Sequence, residues 1–168
     1  MLKIKNINKK FGGLKAVNNV NMNITKGSIT GLIGPNGAGK TTLFNIIAGM
    51  YKPDQGDIFL ENEKITDLKP HDLFNKKVLR TFQISHEFAT LTVLENLMMV
   101  PPNQFGENLI YAWFKNNLVK KQEEEIRAKA IEVIDFLNLK KLTQELAGNL
   151  SGGQKKLLEL GRTMMVDA

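Results

Sequence analysis

The sequence predicts an α/β fold in which an early strand-loop-helix unit is followed by a mainly helical part. A short β-branched run at 28–34 leads into a glycine-rich turn and then into a helical segment over 41–48, which Gly49 closes. Alternating apolar residues before this unit indicate strands, whereas the apolar spacing from Thr92 onward is helical. Strands first and helices later are typical of an α/β core that carries a helical subdomain.

The N-terminal half supplies the predicted strands. Apolar spacing over 2–7 predicts an edge strand, and strict alternation over 19–25 predicts a half-buried one. A turn at 52–56 precedes a further strand over 57–60, and residues 81–84 form another short candidate. We expect an α/β core over 1–84 and a helical subdomain over 85–168.

The C-terminal half supplies the predicted helix faces. Their apolar residues are Val93, Leu94, Leu97 and Met98; Ile126, Ala130, Val133, Ile134 and Leu137; and Leu157, Leu158, Leu160 and Gly161. An apolar, aromatic-rich stretch contains Phe105, Leu109, Ile110, Trp113 and Phe114, the last four on one helical face. We expect that stretch to pack within the subdomain, and a docking surface is the alternative.

The amino-acid composition excludes several kinds of site and segment. The 168 residues include no cysteine, which excludes a disulfide framework, a thiolate metal site and a cysteine nucleophile. No apolar run approaches the ~18 residues that span a bilayer, and the N-terminus lacks the apolar region of a signal peptide. We therefore expect a soluble, cytoplasmic protein.

The net charge of +6 arises in the N-terminal third, since residues 1–56 hold eight lysines and one aspartate. These lysines are isolated and form no basic stripe with interleaved aromatic residues, which is typical of a solvated surface and not of a nucleic-acid face. A phosphate-binding site in this third suits the sign of the charge.

The strongest chemical motif is GPNGAGKT at 34–41, which satisfies G-x-x-x-x-G-K-[ST] between a predicted strand and a helix. Its glycines let successive N–H groups and the helix N-terminus point at phosphate oxygens. Lys40 supplies a mobile charge for the β and γ phosphates, and the Thr41 hydroxyl is a magnesium ligand. The predicted binding residues are Gly34, Asn36, Gly37, Ala38, Gly39, Lys40, Thr41 and Thr42.

A second motif, LSGGQ, occupies 150–154. Ser151 stands at an N-cap position, and Gly152 and Gly153 leave the following N–H groups unobstructed at a helix start suited to a phosphate. A simple capped helix needs the serine but not the glycines, each of which costs about 1 kcal/mol relative to alanine inside a helix. The residues Ser151, Gly152 and Gly153 therefore favour a helix start suited to a phosphate over a simple capped helix.

GPNGAGKTT, then Gln83, then LSGGQ, in that order over essentially the whole chain, resemble the nucleotide-binding domain of ABC (ATP-binding cassette) ATPases. The resemblance implies a P-loop NTPase core, with a mainly parallel sheet and an antiparallel N-terminal part, plus a helical signature subdomain. It implies ATP and Mg²⁺ as cofactors and places Phe11 and Val17 at the nucleotide, with Phe11 stacking on adenine. It makes Lys40 and Gln83 catalytic, and Thr41 and Gln83 magnesium ligands.

The same resemblance implies a head-to-tail dimer with a second ABC ATPase subunit, in which the 151–154 residues contact, in trans, the nucleotide of the other chain. Transmembrane permease subunits would hold the pair at the inner face of the plasma membrane, with no nucleic acid involved. Segments 11–17, 32–49, 80–83 and 92–96 further resemble the ATPases of branched-chain amino-acid importers. The alternatives are a soluble, non-transport ABC ATPase and a short form that binds nucleotide without turnover.

The pattern departs from the family near residues 164–168 (MMVDA). The family continues there with an apolar strand that ends in Asp, followed by the Glu that acts as general base and later by a histidine. Asp167 follows no apolar strand, and His71 and His86 precede the second motif, so none of them matches these positions. We therefore expect the 168 residues to be a partial domain with weakened MgATP binding, near-background hydrolysis and uncovered apolar surface, and the full-length protein to be an active ATPase.

Overall fold

The computed structural model describes residues 1–81, 87–109, 113 and 116–166. They belong to two compact units, Met1–Arg80 and Thr81–Ala168. The predicted division after residue 84 falls outside the described ranges and stays a prediction.

The first unit contains a four-stranded antiparallel sheet in the order β2-β1-β3-β4. Its strands are β1 (Leu2–Phe11), β2 (Leu14–Ile24), β3 (Gln55–Leu60) and β4 (Glu63–Lys64). The predictions of strands at the first three places are confirmed. The edge position predicted for 2–7 is wrong, because β3 pairs with the side of β1 that β2 leaves open.

Four asparagines, two on each strand, interrupt the regular pairing of β1 with β2. Asn6 and Asn19 have φ of 51° and 48°, a left-handed conformation that asparagine tolerates better than most residues. The Asn6 N–H donates to Asn21 Oδ1 and the Asn19 N–H donates to Asn8 Oδ1, both at 2.9 Å. The side-chain amides thus supply hydrogen bonds where the ladder between the two strands shifts register.

The predicted strand at 28–34 does not form among the described residues. Ile29 and Ile33 in this segment are 104% and 95% exposed. The prediction is wrong because a strand needs a hydrogen-bonded neighbour, and no described strand runs beside this segment. The sheet in the described residues is therefore antiparallel and lacks the expected parallel part, although the α/β class is confirmed.

The helix predicted over 41–48 is confirmed as α1 (Lys40–Ile47), and α2 (Pro70–Asn75) follows in the same unit. Gly49 closes α1 with φ of 70°, where an added Cβ would lie 2.7 Å from the Leu68 carbonyl oxygen. The buried core of the first unit comprises Ile4, Ile7, Val17, Leu43, Ile46, Ile58, Ile65 and Leu73. Helix α1 therefore packs on the sheet through one apolar face.

The second unit packs α3 (Val93–Met98), α4 (Asn116–Phe136) and α5 (Gly152–Met164) around its own core. That core comprises Val93, Leu94, Leu97, Ala130, Val133, Ile134, Leu137, Leu139, Ala147, Leu150, Leu158 and Met165. The helix predicted from Leu157, Leu158, Leu160 and Gly161 is confirmed as α5. Leu158 and Gly161 are buried, whereas Leu157 and Leu160 are 38% and 47% exposed, because α5 buries only the narrow face next to α3 and α4.

The aromatic-rich stretch is more exposed than predicted. Leu109 and Trp113 are 81% and 83% exposed, and Phe105 is 38% exposed. Packing within the subdomain is therefore wrong for Leu109 and Trp113, which lie outside the cluster that the three helices bury. Ile110 and Phe114 lie outside the described residues. Within the described part of the chain, no helix is long and apolar enough to cross a bilayer.

Candidate functional site

The N-terminus of α1 has no side-chain cap. Its N-cap residue is Gly39, with φ of 81° and no side chain to offer a hydrogen bond. The first backbone bond of the helix runs from the Leu43 N–H to the Gly39 carbonyl at 2.9 Å. The N–H groups of the first turn have no intrahelical partner, so they and the helix dipole form a positive end that suits an anion.

Gly39 lies against strand β2. A Cβ added to Gly39 would lie 2.0 Å from the Ala16 carbonyl oxygen and 3.6 Å from Val17 Cγ2. Only glycine fits here, since the φ is positive and the backbone of β2 occupies the space. The strand therefore fixes where the loop turns into α1.

The Lys40 side chain hydrogen-bonds to the backbone of its own loop. Its Nζ donates to the carbonyl oxygens of Gly34 and Pro35, both at 2.7 Å. An ammonium held by loop carbonyls lies where phosphate oxygens would compete for its hydrogen bonds. Thr41, the next residue of α1, is exposed and Thr42 is half-buried.

An open pocket of about 400 Å³ lies between this loop and β2. Its lining comprises Lys15, Ala16, Val17, Asn18, Val20, Leu32, Ile33, Gly37, Ala38, Gly39, Lys40 and Leu43. The predicted residues Gly37, Ala38, Gly39 and Lys40 thus meet Val17, which is itself 5% exposed. Gly34 and Asn36 lie in the same loop but outside this lining.

A Mg²⁺ ion at the described residues would need ligands from a bound phosphate as well as from the protein. Within the described ranges, no group of three or more His, Asp or Glu side chains could hold a metal ion. Mg²⁺ commonly binds through one or two protein oxygens together with substrate phosphates and water. The exposed Thr41 hydroxyl beside the bare end of α1 fits that mode.

Phe11 ends β1 and is 44% exposed, outside the lining of the pocket. Its ring meets the Tyr51 ring edge-on, with centroids 5.5 Å apart and planes at 72°. Lys9 Nζ lies 5.7 Å from the centre of the Phe11 ring and 2.8 Å from Asp54 Oδ1. The hydrogen bonds from Lys9 and from the Lys10 N–H hold the pKa of Asp54 below its ordinary value.

The second motif forms a capped helix start. Ser151 is the N-cap of α5: its Oγ accepts from the Gln154 N–H at 3.4 Å, and its N–H donates to Gln154 Oε1 at 2.8 Å. The N-cap prediction is confirmed, and Gln154 has a capping role that sequence reasoning missed. A Cβ added at Gly152 or Gly153 would meet nothing within 4 Å, so the local fold does not require either glycine.

Sequence reasoning also missed the contacts that hold residues 87–92. Lys155 Nζ of α5 lies 2.6 Å from Glu87 Oε1, and the Arg162 guanidinium lies 5.4 Å from the centre of the Phe88 ring. Asn96 is fully buried and binds the backbone of this segment through its amide. The available signal was an asparagine on the apolar face of α3 beside Val93 and Leu97.

Gln83, His86 and Asp167 also lie outside the described residues, as do residues 82–84 of the short strand candidate. The roles predicted for Gln83 therefore stay predictions. The side chain of His71 is 71% exposed next to Asp72, which confirms that His71 is a surface residue.

Residues 17–168 match the family described as ABC transporter, and this range includes both glycine-rich motifs. The chain belongs to the ABC transporter family. The chain is 46% identical to the "Probable branched-chain amino acid transport ATP-binding protein LivG" of Archaeoglobus fulgidus, over 100% of this chain and 64% of that protein. It is 41% identical to the protein of the same name from Methanocaldococcus jannaschii, over 99% of this chain and 64% of that protein.

Solved ABC structures share the fold. A nucleotide-free ATP-binding cassette from an ABC transporter matches 99% of this chain at 41% identity with a TM-score of 0.78, over 65% of its own length. An ADP conformation of such a cassette matches with a TM-score of 0.79, also at 41% identity, 99% of this chain and 65% of that one. This ABC family member therefore spans about 64% of the length of the two relatives above. The predicted resemblance to branched-chain amino-acid ATPases is confirmed at the level of sequence.

Proposed function

We propose that this chain binds ATP with Mg²⁺ through the loop at 34–41 and the start of α1. One observation carries the proposal: Lys40 Nζ lies 2.7 Å from two loop carbonyls at a helix N-terminus that has no side-chain cap. A triphosphate supplies the anionic oxygens that this ammonium and these N–H groups lack. Bound Mg²⁺ would neutralise phosphate charge, with the Thr41 hydroxyl as its ligand from the protein.

Replacing Lys40 with alanine is expected to weaken ATP binding about ten- to a hundredfold, because hydrogen bonds to charged groups contribute about 1.5–3 kcal/mol. Isothermal titration calorimetry with MgATP measures this change. Lys26→Ala is the matched control, since Lys26 is an exposed lysine of the same unit that lies 3.6 Å from Glu61 and outside the pocket lining. Equal affinities for Lys40→Ala and Lys26→Ala would contradict the proposal.

We further propose that the 168 residues hydrolyse ATP slowly. Among the described residues, the pocket lining offers lysines, an asparagine and apolar groups but no carboxylate that could act as general base. The expected phosphate release by the wild-type chain is therefore close to that of Lys40→Ala. Rapid release that depends on Lys40 would contradict slow turnover while supporting nucleotide binding.

The whole protein's role is proposed from its relatives. LivG relatives are named as ATP-binding proteins of branched-chain amino-acid transport. A cassette 29% identical to this chain, with a TM-score of 0.73, is described as a dimer in a post-hydrolysis state bound to ADP and Pi. We therefore propose a second ABC ATPase subunit and a membrane permease as partners, cytoplasmic association with the membrane, and energised transport of branched-chain amino acids.

The open surface at Gly152 and Gly153 supports a ligand held between two chains, at residues 151–154. Gly153→Ala is expected to leave unfolding unchanged or to stabilise the chain by up to about 1 kcal/mol, because helix propensity favours alanine. The same change is expected to reduce ATP-dependent self-association, which light scattering measures. A destabilised variant would instead assign the glycine a local structural role, and undiminished self-association would contradict a ligand held between two chains at this motif.

A further inference from the structure

We infer that Asn36 is a site of spontaneous deamidation, a reaction that converts its side chain into a carboxyl group and lowers the affinity of the loop at 34–41 for a triphosphate. Asn36 is the only asparagine of the sequence that a glycine follows. The reaction itself follows from the sequence and from the turn around Asn36. Its effect on ligand binding rests on the nucleotide binding proposed above.

The reaction takes place between two neighbouring groups of the chain, and asparagine is among the chemically labile residues. The backbone nitrogen of Gly37 attacks the side-chain carbonyl carbon of Asn36, and Asn36 Nδ2 leaves as ammonia with the proton that the Gly37 nitrogen gives up. A succinimide ring remains. Water then opens this ring at either carbonyl, which gives an aspartate or an isoaspartate whose main chain runs through the former side-chain carbon. Ammonia is thus exchanged for water, and water is the sole co-reactant.

The backbone turn over 35–38 favours this attack. The Ala38 N–H donates to the Pro35 carbonyl at 3.3 Å, and Gly37 has φ of 82°, the angle of the third residue of a type II turn. Glycine is preferred there because any other side chain would be strained. The missing Cβ also leaves the Gly37 nitrogen unshielded, and an added Cβ would meet nothing within 4 Å. The residue that the turn requires is therefore also the residue that favours the reaction.

The Asn36 side chain is not held away from the Gly37 nitrogen by its described surroundings. Asn36 is exposed, and none of the residues that the structure describes hydrogen-bonds to its amide. Asn8 and Asn21 differ, because their amides hydrogen-bond to the backbone of the sheet. Asn96 differs as well, since it is fully buried. The structure thus favours reaction at Asn36 over reaction at these three asparagines.

Lys40 connects the reaction to the proposed phosphate site. Its Nζ donates at 2.7 Å to the Pro35 carbonyl, which belongs to the peptide bond between Pro35 and Asn36. A carboxylate at position 36 offers this ammonium an anionic partner, which a triphosphate must displace while it approaches a like charge. An isoaspartate also adds a carbon atom to the main chain inside the turn, which disturbs the hydrogen bond from Ala38 to Pro35. Both products therefore weaken the binding of phosphate.

The test ages the purified chain in mildly alkaline buffer, which promotes loss of the Gly37 N–H proton, and follows each asparagine by peptide mapping with mass spectrometry. Asn62 is the internal control, because it is exposed and has φ of 75° between β3 and β4 but precedes Glu63. Asn36 is expected to convert to aspartate and isoaspartate while Asn62 stays intact. The fraction of chains that bind MgATP with the starting affinity is expected to fall as Asn36 converts, as calorimetry measures.

Three variants isolate the effect on binding. Asn36→Asp reproduces one product and is expected to bind MgATP about tenfold or more weakly than the wild type, the scale of a like charge beside a bound anion. Asn62→Asp adds the same charge elsewhere in the first unit and is expected to bind as the wild type does. Asn36→Gln forms the cyclic imide less readily and is expected to keep its own starting affinity through the same ageing.

The contrary outcomes bear on separate parts of the inference. An Asn36 that stays intact in the aged, folded chain but converts in urea would show that the turn protects it, and equal conversion of Asn36 and Asn62 would show that Gly37 has no part. Asn36→Asp with wild-type affinity would overturn the effect on the ligand, as would a loss of affinity in aged Asn36→Gln. Fresh wild-type chain that does not bind MgATP would overturn the proposed function, whereas the peptide map tests the conversion of Asn36 independently of any ligand.

Discussion

Gly39→Ala is expected to abolish measurable ATP binding and to destabilise the first unit by about 3 kcal/mol, the combined scale of backbone strain and overpacking. The added Cβ would lie 2.0 Å from the Ala16 carbonyl oxygen, and that oxygen belongs to strand backbone that has little freedom to move. The loop would have to leave β2, which displaces Lys40 and the bare end of α1. Urea unfolding and calorimetry with MgATP measure the two effects.

Gly37→Ala is the matched control for this prediction. Gly37 has φ of 82°, nearly the same as Gly39, but its added Cβ would meet nothing within 4 Å. Only the left-handed conformation is then penalised, at about 1–2 kcal/mol. Equal destabilisation by the two variants would mean that the contact with β2 has no role in fixing the loop.

Asn96→Ala is expected to destabilise the second unit by about 1–3 kcal/mol, because the substitution leaves the Phe88 N–H without its acceptor and an unpaired buried polar group costs about that much. Its Oδ1 accepts from the Phe88 N–H at 2.9 Å. Its Nδ2 donates to the carbonyls of Phe88, Leu91 and Thr92 at 3.0, 3.2 and 2.9 Å. Loss of the Asn96 amide removes one set of contacts to residues 87–92, a segment that Lys155 and Arg162 also contact. Urea denaturation measures the change.

Asn149→Ala is the control for Asn96, because Asn149 is exposed and its Nδ2 donates at 2.6 Å to the side chain of Glu145. It is expected to change stability by less than about 0.5 kcal/mol, as for most surface substitutions. Asn96→Asp adds a pH test: a buried carboxyl facing carbonyl oxygens has a folded pKa above its unfolded value. Its destabilisation should therefore grow as pH rises from 4 to 7. A pH-independent loss would contradict this account of the site.

The elements of the fold that the sequence predicts correctly are those determined by residues close together in the chain. The alternation in β2, the turn before β3 and the glycine after α1 each combine a local pattern with a backbone preference. The segment at 28–34 has the same local pattern, but a strand also requires a partner that local pattern does not provide. The central place of β1 likewise depends on pairing with β3, which lies more than 40 residues further along the chain.

The candidate site likewise contains residues that the sequence predicts and residues that it does not. The loop at 34–41 and Ser151 have motifs in which residue type and spacing reveal the chemistry. Asn96 has no such motif, because its role arises from contacts with residues that it meets only in the folded chain. An asparagine on an apolar helix face is a weak signal alone, since it also occurs as ordinary packing.

The four asparagines of the first two strands bear on how readily the edge of β2 could pair with a strand of another chain. Strand β2 is an edge of the sheet in the described residues, and an unpaired edge is a template on which another chain can add as an extra strand. The left-handed residue at Asn19 bends that edge, and side-chain amides of Asn8 and Asn21 hydrogen-bond to the Asn19 N–H and carbonyl. An incoming strand would meet a bent edge in place of a straight row of hydrogen-bonding groups, so the distortion that shapes the hairpin also discourages growth from it.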